Sequence, residues 1–470
     1  MTNSKLIQLI RTFSKDEFKT FGKFVRSPFF YKDKAVIKLY DSLKSFYPEF
    51  DNDGLTKQQL YEKMYPQKKY SDSQMKYLMS EMFSLAKMFL SYTNYNNDNF
   101  ERNNRLLKEL NTRNTYKIFE SELKKIENQI KSIQIRDKEF FYQMYKMKNL
   151  VSDYYSYKNR LSVKREHNKI IDNIINNFLI SILDFYYEII NDASDFGINI
   201  DLNLVSFIDD YINQNKNNLN PIVLIYYYIF IVSYRNEPSH YNTLYELKNK
   251  HIQILDDDAK HRIFEALGNY CIKSYHQGGI KHYKDAFILI DDEIKSGVRF
   301  KRNEFSEIFF TNKIEIASKV KEYKWAYDFI VKYKNRLNEK NREDIVNFCY
   351  AIIEFESNNY LASLDHLSKI NLKHPLLKFR IRNYTLLNYF ELNNYEQAFL
   401  MLDAYRHMLE KDEKVETGRK ERYNLFLYYY QKLLDMKSGS LNTEIELLKR
   451  GIETRSFFMK QWLLEKAGEF

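Results

Sequence analysis

Glycine and proline are scarce in this 470-residue chain, which contains 11 glycines and 6 prolines. The turns of β-sheet proteins consume these residues, so their scarcity argues against a β-rich fold and favours helices joined by polar turns. Asparagine stands in the expected turns instead, at Asn358–Asn359, at Asn393–Asn394 and in the run 213–220. Asparagine tolerates a left-handed backbone better than most residues other than glycine.

Cysteine is rarer still, because the chain contains only Cys271 and Cys349. The two lie far apart in sequence, and neither belongs to a Cys-x-x-Cys motif. Two such residues support neither a disulfide framework nor a thiolate zinc site. Each stands in an apolar helical pattern, so we expect both to be small buried side chains.

The sequence has no apolar run long enough to span a membrane. The most apolar stretch, Ile222–Val232, is tyrosine-rich and shorter than the roughly 20 residues that a spanning helix needs. We interpret it as a buried helix. Residues 1–15 contain no signal-peptide pattern, so we expect a cytoplasmic protein without a membrane span.

Motifs of catalysis are missing as well. The sequence contains no glycine-rich phosphate loop, no Gly-x-Ser-x-Gly elbow and no His-Glu-x-x-His motif. The paired carboxylates Asp209–Asp210 and Asp291–Asp292 are neighbours on helices, so they point in different directions and form no acid–base pair. We therefore expect no enzymatic activity and no cofactor.

Two stretches imitate metal-binding patterns. Residues 49–54 (EFDNDG) begin like an EF-hand loop, but Leu60 stands where such a loop needs a bidentate glutamate. His251, the acidic run 256–258 and His261 are spaced too loosely to specify a site. A solvated turn and a polar loop between helices are the favoured interpretations, and no metal site is expected.

The net charge is +10, from 73 basic and 63 acidic side chains. Both signs are interleaved along most of the chain, as on the solvated faces of long helices. The positive excess admits nucleic acid or an acidic partner without requiring either.

The first part of the chain carries explicit signals for helix starts. Three capping boxes place a hydroxyl N-cap three residues before Glu or Gln, and an apolar pair flanks each box as a hydrophobic staple. The boxes are Ser14 with Glu17, Thr56 with Gln59 and Ser71 with Gln74, and the staples are Phe13 with Phe18, Leu55 with Leu60 and Tyr70 with Met75. A further helix is predicted over Asp33–Phe46, ending before Pro48.

The segment Leu55–Met79 is a predicted helix, turn and helix, which raises the alternative of a DNA-binding helix-turn-helix. Such motifs join their helices with three or four residues and present polar side chains to the major groove. The turn at Pro66–Tyr70 is longer, and the second helix continues with an apolar stripe through Leu90. We therefore favour two packed helices of a scaffold.

Residues 100–216 carry long apolar stripes, largely at three- and four-residue spacing, with breaks near 111–114, 191–199 and 214–221. This pattern predicts antiparallel helical hairpins.

An internal repeat marks the second half of the chain. Tyr-x-x-Ala recurs at Tyr283–Ala286, Tyr323–Ala326 and Tyr395–Ala398, and Tyr360–Ser363 keeps the tyrosine with the alanine moved by one. The steps of about 40, 37 and 35 residues lie close to the roughly 34-residue tetratricopeptide period.

The stretch Asn388–Leu409 (NYFELNNYEQAFLMLDAYRHML) resembles part of a tetratricopeptide repeat: the end of the first helix, the turn and the second helix. The resemblance implies that Ala398 permits close helix packing. It also implies that Tyr395 braces the turn and that Leu402 fills the large apolar position.

This resemblance covers roughly Ile263–Leu409, with Pro375 at the family's proline position. The chain departs from the family pattern near Leu387, where a small residue is missing, and around Gly278–Gly279, where it carries an insertion. The N-terminal run FSKDEFKTFGKFVRSPFF also resembles uncharacterised helical-repeat proteins of Bacteroidota, which implies an origin and no activity.

Each helical hairpin exposes an apolar face that it cannot bury alone, so stacked hairpins form a curved array with a groove. We predict an all-α fold with an N-terminal capped helical bundle (1–95), a helical-hairpin region (96–220) and a tetratricopeptide-like α-solenoid (221–470). The amphipathic segment Thr443–Lys466 is expected to cap the last repeat with an apolar face made of Leu447, Leu448, Ile452, Phe457, Phe458, Trp462 and Leu463.

This architecture predicts a non-catalytic scaffold or adaptor that binds an unidentified protein or peptide in its groove. Arg380 and Asn383 are the predicted partner-binding residues if the peptide is acidic. The alternative is a nucleic-acid-associated protein that uses a basic helical surface. Basic side chains concentrated along one groove favour the alternative, and interspersed carboxylates favour the scaffold.

Overall fold

The computed structural model describes residues 1–30, 33–50, 55–158, 160–196, 202–278, 281–296, 298, 305–371, 374–375, 377–413, 415–439, 445–455 and 457–470. In these residues the chain forms α-helices and short 3₁₀ helices without any β-strand, and 80% of the chain is helical. The predicted all-α fold is confirmed, and the packing of the helices is that of a helical-repeat bundle.

The helices form two compact units. The first unit contains Met1–Lys131 and Asn149–Lys158, and the second contains Ser132–Lys148 and Asn159–Phe470. One helix, α8 (Lys138–Lys158), contributes its first half to the second unit and its second half to the first. The three-part division proposed from the sequence stays a prediction.

In the first unit, five helices pack around one apolar core, and two more pack on each other as a hairpin. The five are α1 (Lys5–Ile10), α2 (Lys15–Arg26), α3 (Lys34–Leu43), α4 (Lys57–Met64) and α5 (Asp72–Asn97), and the hairpin is α6 (Asn99–Thr112) with α7 (Tyr116–Lys131). The 3₁₀ helix Lys44–Phe46 extends α3, so this helix ends before Pro48 as predicted.

The three predicted helix starts are confirmed. The Ser14 hydroxyl accepts a hydrogen bond from the N–H of Glu17 at 3.2 Å, and the Glu17 carboxylate accepts from the N–H of Ser14 at 2.7 Å. Thr56 and Ser71 also accept from the N–H three residues on. Their glutamine partners accept from side-chain hydroxyls instead, so the reciprocal box closes at Ser14 while all three N-caps form.

The segment Leu55–Met79 folds as two packed helices. Residues 65–71 separate α4 from α5, and this turn is longer than the three or four residues of a helix-turn-helix. The inward face of α5, from Met75 to Phe89, packs against α1, α2 and α3. The geometry therefore differs from that of the DNA-reading motif.

The second unit stacks helical hairpins. Its helices after the first half of α8 are α9 (Arg160–Phe196), α10 (Val205–Asn215), α11 (Pro221–Arg235), α12 (Pro238–His251), α13 (Asp257–Gly278), α14 (Lys281–Lys295), α15 (Glu307–Lys319), α16 (Tyr323–Tyr333), α17 (Arg342–Glu356), α18 (Tyr360–Ser368), α19 (Leu377–Glu391), α20 (Tyr395–Lys411), α21 (Thr417–Lys437), α22 (Ile445–Glu453) and α23 (Lys460–Ala467), with 3₁₀ helices at Ile252–Ile254 and Lys334–Arg336. Consecutive helices from α11 to α20 pair as hairpins. The first helices of neighbouring hairpins also pack together, α11 on α13, α15 on α17 and α17 on α19.

Three of these hairpins share one turn. Lys321, Asn358 and Asn393 have left-handed backbones, with φ of 67°, 65° and 57°. The next residue in each turn donates its N–H to a carbonyl five residues back, at 2.8–2.9 Å, which is the bond of a Schellman C-cap. Asparagine at two of the three positions confirms that asparagine takes the place of glycine in these turns.

The repeated tyrosine lies two residues after each left-handed position. Tyr360 and Tyr395 donate their hydroxyls to Oδ1 of Asn358 at 2.9 Å and of Asn393 at 3.2 Å. Tyr323 follows a lysine turn and donates instead to the backbone carbonyl of Glu356 in the next hairpin at 2.6 Å. Tyr360 and Tyr395 therefore brace their own turns, as the resemblance implies for Tyr395, whereas Tyr323 links its hairpin to the next one.

The small residue of the repeat is buried where two helices cross. Ala286, Ala326, Ser363 and Ala398 are at most 1% exposed. Ser363 satisfies its hydroxyl by donating to the carbonyl of Ala351 at 2.8 Å and accepting from Nδ2 of Asn388 at 2.9 Å. Leu402 is buried as well, so the large apolar position is filled.

The most apolar run of the sequence is a core helix. The Asn220 side chain caps α11, Pro221 occupies its first turn, and Asn236 ends it in the left-handed conformation. Almost every side chain from Ile222 to Val232 is buried. In the part of the chain that the structure describes, no helix combines the length and apolarity needed to cross a bilayer.

The C-terminal segment covers the end of the array. Helices α22 and α23 pack on each other, and α23 packs on α21. Leu448, Ile452 and Trp462 are buried as predicted, but Leu447 is 67% exposed. The assignment of Leu447 to the apolar face was wrong, because its side chain lies on the opposite side of α22 from Ile452 and faces solvent.

Candidate functional site

One cavity of the second unit has a volume of about 430 Å³. It is lined by residues of α13, α15, α19 and α21, with further lining residues from α9, α14 and the segment around α23. A smaller cavity of about 150 Å³ continues along α13 and α15 and shares Asn269 and Asn312 with the larger one. We call the two cavities together the inner groove.

Arg380, a predicted partner-binding residue, lines the inner groove. Its guanidinium donates to Oγ1 of Thr311 at 3.0 Å and to Oδ1 of Asn312 at 2.9 Å, and it forms an ion pair with Glu315. It also lies over the ring of Phe348. Arg380 is thus held in place by α15 and α17.

Asn383, the second predicted partner-binding residue, lines the same cavity but is only 1% exposed. Its Oδ1 accepts a hydrogen bond from the Tyr405 hydroxyl at 2.9 Å, and that hydroxyl also lies 3.2 Å from the carbonyl oxygen of Phe379. The structure therefore brings Arg380 and Asn383 to one cavity, where side chains of the chain itself already bond both.

Lys273 on α13 is the groove residue that the sequence reasoning missed. It lines the larger cavity, is exposed to solvent although protein surrounds part of its side chain, and has no hydrogen-bond or ion-pair partner among the described residues. Burial lowers the pKa of its ammonium group below the ordinary value.

A sequence pattern on α13 could have identified this part of the groove lining. Glu265, Asn269 and Lys273 follow one another at four-residue spacing on α13 and form one polar stripe on that helix. Glu265 accepts from the Tyr187 hydroxyl at 2.9 Å, whereas the Asn269 amide has no hydrogen-bond partner among the described residues. The stripe therefore offers one free amide and one free cation to the groove.

Aromatic side chains form another part of the lining of the larger cavity. Tyr423 on α21 stacks on Phe458 with ring centroids 4.3 Å apart, and Arg422 lies over the Phe458 ring at 5.6 Å. Trp462 on α23 donates its indole N–H to the Glu391 carboxylate at 3.0 Å. Tyr423 and Trp462 are only 1% and 7% exposed and Phe458 is partly buried, so the aromatic side chains in the lining are mostly buried.

Two buried carboxylates belong to the surroundings of the groove: Glu293 lines the smaller cavity, and Glu356 pairs with a lining residue of the larger one. Glu293 contacts His261 at 2.9 Å and Lys313 at 2.6 Å, and although burial opposes ionisation, these partners lower the pKa of Glu293. Lys319, a groove residue, pairs with Glu356 at 2.6 Å. Burial raises the pKa of Glu356 despite this partner.

The metal-like patterns of the sequence do not assemble a site in the described residues. No three His, Cys, Asp or Glu side chains among them lie close enough to hold a metal ion. His261 is engaged by Glu293, and Asp256 caps α13 by accepting from the N–H of Ala259. Most of the stretch 49–54 lies outside the described residues.

The paired carboxylates and the two cysteines, which the sequence analysis considered as possible functional groups, form no joint site among the described residues. Asp291 pairs with Lys295 at 2.5 Å, and Asp292 pairs with Lys248 at 3.0 Å, so neighbouring carboxylates point to different partners as expected. Cys271 and Cys349 are buried and free, as predicted. Burial raises the pKa of the Cys271 thiol to about 11.

Comparison of the chain with protein families, with characterised proteins and with solved structures finds no match.

Proposed function

We propose that the second unit is a tetratricopeptide-like α-solenoid and that the chain is a non-catalytic scaffold. In this proposal the inner groove binds a peptide segment of a partner protein. The observation that carries it is the composition of the groove lining, which combines aromatic side chains with a polar stripe whose Asn269 amide and Lys273 ammonium have no partner among the described residues. Anchoring of apolar side chains beside a few placed polar groups is how concave surfaces recognise peptides.

Charge placement supports a protein partner over nucleic acid. The carboxylates Glu265 and Glu315 stand in the groove among Lys273, Lys319 and Arg380. Nucleic-acid grooves concentrate basic side chains because the phosphate backbone dominates the affinity. Interspersed carboxylates repel that backbone, so this groove suits a peptide better.

The repeat geometry supports the tetratricopeptide-like assignment. The left-handed turn residue, the tyrosine brace and the buried small residue recur at the expected spacing. We also propose a cytoplasmic location and an origin among Bacteroidota, and both proposals rest on sequence patterns.

The test is affinity capture of the tagged full-length chain from lysate of its native cell, with and without nuclease, at moderate salt. We expect a stoichiometric protein partner that survives nuclease treatment. Recovery of nucleic acid, with loss of the protein partners after nuclease, would overturn the proposal in favour of the basic-surface function.

A further inference from the structure

One face of helix α9 is apolar and yet exposed. The helix packs against α11 and buries Leu179 and Leu183. On another face four large apolar side chains are 44–56% exposed, namely Ile171, Ile174, Phe178 and Phe185. A helix that is apolar on all sides is normally buried on all sides, and a contiguous exposed apolar patch marks an interaction surface.

The exposed face has the spacing of a coiled-coil seam. Alternating steps of four and three residues connect six apolar side chains, which we call the α9 seam: Ile171, Ile175, Phe178, Ile182, Phe185 and Ile189. Because an α-helix has 3.6 residues per turn, these six positions form one narrow stripe along it. The three seam residues that are not exposed are only partly buried. Such a repeat lets a second helix pack its side chains between those of the first.

The α9 seam is complementary to itself when two copies run antiparallel. The register that uses all six residues has three kinds of layer, each occurring twice by the twofold symmetry: Ile171 with Ile189, Ile175 with Phe185, and Phe178 with Ile182. Phenylalanine thus always faces isoleucine. A parallel pair would instead set each phenylalanine against itself, between thinner isoleucine layers, which packs less evenly.

The area of the exposed face is sufficient for a specific contact. A large side chain has roughly 150–250 Å² to bury, so the four half-exposed residues offer roughly 300–500 Å² per copy. Two copies therefore remove roughly 600–1,000 Å² of apolar surface from water. The partly buried isoleucines of the seam and flanking polar residues add to this area, and about 1,000 Å² in total is the lower bound of a specific interface.

We propose that two copies of this chain associate through antiparallel pairing of their α9 seams. The interface is separate from the inner groove, because Asn191, the α9 residue in the groove lining, lies on nearly the opposite side of the helix from the seam. The dimer leaves both grooves accessible. Dimerisation through the seam does not depend on what the groove binds.

Sedimentation equilibrium of the full-length chain over a series of concentrations tests the association. The wild type is compared with Phe178→Glu in the seam and with Leu400→Glu on α20. Leu400 is 66% exposed, so the control also replaces an exposed large apolar side chain by glutamate. Far-ultraviolet circular dichroism checks that both variants keep the helix content of the wild type.

We expect the wild type and Leu400→Glu to form a species of twice the 57.1 kDa mass of one chain. Phe178→Glu places an unpaired carboxylate in two apolar layers of the pair, so its dissociation constant should rise by at least about a hundredfold. A wild type that is monomeric at every concentration would overturn the proposal. So would a folded Phe178→Glu chain that dimerises as tightly as the wild type, since the copies would then meet elsewhere.

Single cysteine substitutions test the antiparallel direction. Ser181→Cys lies next to the twofold axis and close to its own copy, whereas the two copies of Ile171→Cys lie about 27 Å apart along the helix. The native Cys271 and Cys349 are buried, so a short bismaleimide reagent reports the introduced thiol. We expect cross-linked dimers with Ser181→Cys and none with Ile171→Cys. Cross-linking through Ile171→Cys alone would indicate a parallel pair and overturn the proposed arrangement.

Discussion

Arg380 on α19 donates a hydrogen bond to Oδ1 of Asn312 on α15 at 2.9 Å, which joins two helices that have the α17–α18 hairpin between them in sequence. The same guanidinium bonds Thr311 and Glu315 and lies over Phe348 of the intervening helix α17. The Arg380 side chain on α19 therefore contacts α15 and α17, and these three helices are the first helices of three successive hairpins.

We expect Arg380→Met to destabilise the second unit by about 2–3 kcal/mol, because it removes these bonds and leaves the partly buried Glu315 unpaired. The control is Lys369→Met, which breaks the exposed pair with Asp365 and should cost no more than about 0.5 kcal/mol. Urea unfolding followed by circular dichroism measures both. Equal costs for the two variants would contradict the bridging role.

Gly22 on α2 lies against the ring of Tyr40, so that an added Cβ would stand 2.5 Å from the ring. Tyr40 cannot yield freely, because it is buried and donates its hydroxyl to the carbonyl of Phe18 at 2.8 Å. We expect Gly22→Ala to cost about 2 kcal/mol in thermal unfolding. Gly268→Ala meets no atom within 4 Å and should stabilise by up to about 1 kcal/mol; a stabilising Gly22→Ala would refute the close packing.

We predict opposite changes in stability for substitutions at two equivalent turn positions, Lys321 and Asn393. Lys321 has a left-handed backbone with φ of 67°, so Lys321→Gly should relieve strain and stabilise by about 0.5–1 kcal/mol. Asn393→Ala should destabilise by about 1 kcal/mol, since alanine dislikes this conformation and loses the bond from Tyr395. Changes of the same sign in differential scanning calorimetry would show that the two turns are not equivalent.

We predict that the difference in stability between the wild type and Lys273→Met depends on pH. Burial sets its folded-state pKa below the ordinary value of 10.5, so the unfolded chain binds this proton more tightly and the charged lysine destabilises the fold. Solvent screens much of this effect because Lys273 is exposed, so we expect Lys273→Met to be only slightly more stable than the wild type at neutral pH.

This advantage should shrink as pH rises through the folded-state pKa and be absent above 10.5, because the lysine is then neutral in both states. Chemical unfolding of the two proteins in parallel at each pH cancels the other titrating groups. A wild type that is the more stable at neutral pH would mean that the fold itself compensates Lys273.

Local features of this fold follow from the sequence, because their causes lie within one helical turn. The N-caps at Ser14, Thr56 and Ser71 depend on a hydroxyl and the N–H three residues on. The asparagine–tyrosine turns depend on residues two positions apart. Such patterns predict helices, turns and hairpins without knowledge of long-range contacts.

The groove is less predictable, because its properties depend on distant residues. Arg380 was singled out for its charge, but its partner Glu315 stands 65 residues earlier in the chain. Asn383 was singled out as a polar groove residue, but Tyr405 from the next helix already bonds it. Lys273 matters because no partner reaches it, and the lack of a partner becomes visible only once the helices are packed.

The central claim is that the inner groove is the binding surface, and blocking the groove tests it most directly. Asn269 lines both cavities and has no partner to lose, so Asn269→Trp fills the groove without breaking a hydrogen bond. Lys284→Trp adds the same side chain on the exposed face of α14. Both variants are compared with the wild type for melting temperature and for nuclease-resistant partner capture from native lysate.

The account predicts that Asn269→Trp melts like the wild type and loses the captured partner, while Lys284→Trp retains it. Retention of the same partner by a folded Asn269→Trp chain would contradict the account and place the binding surface elsewhere.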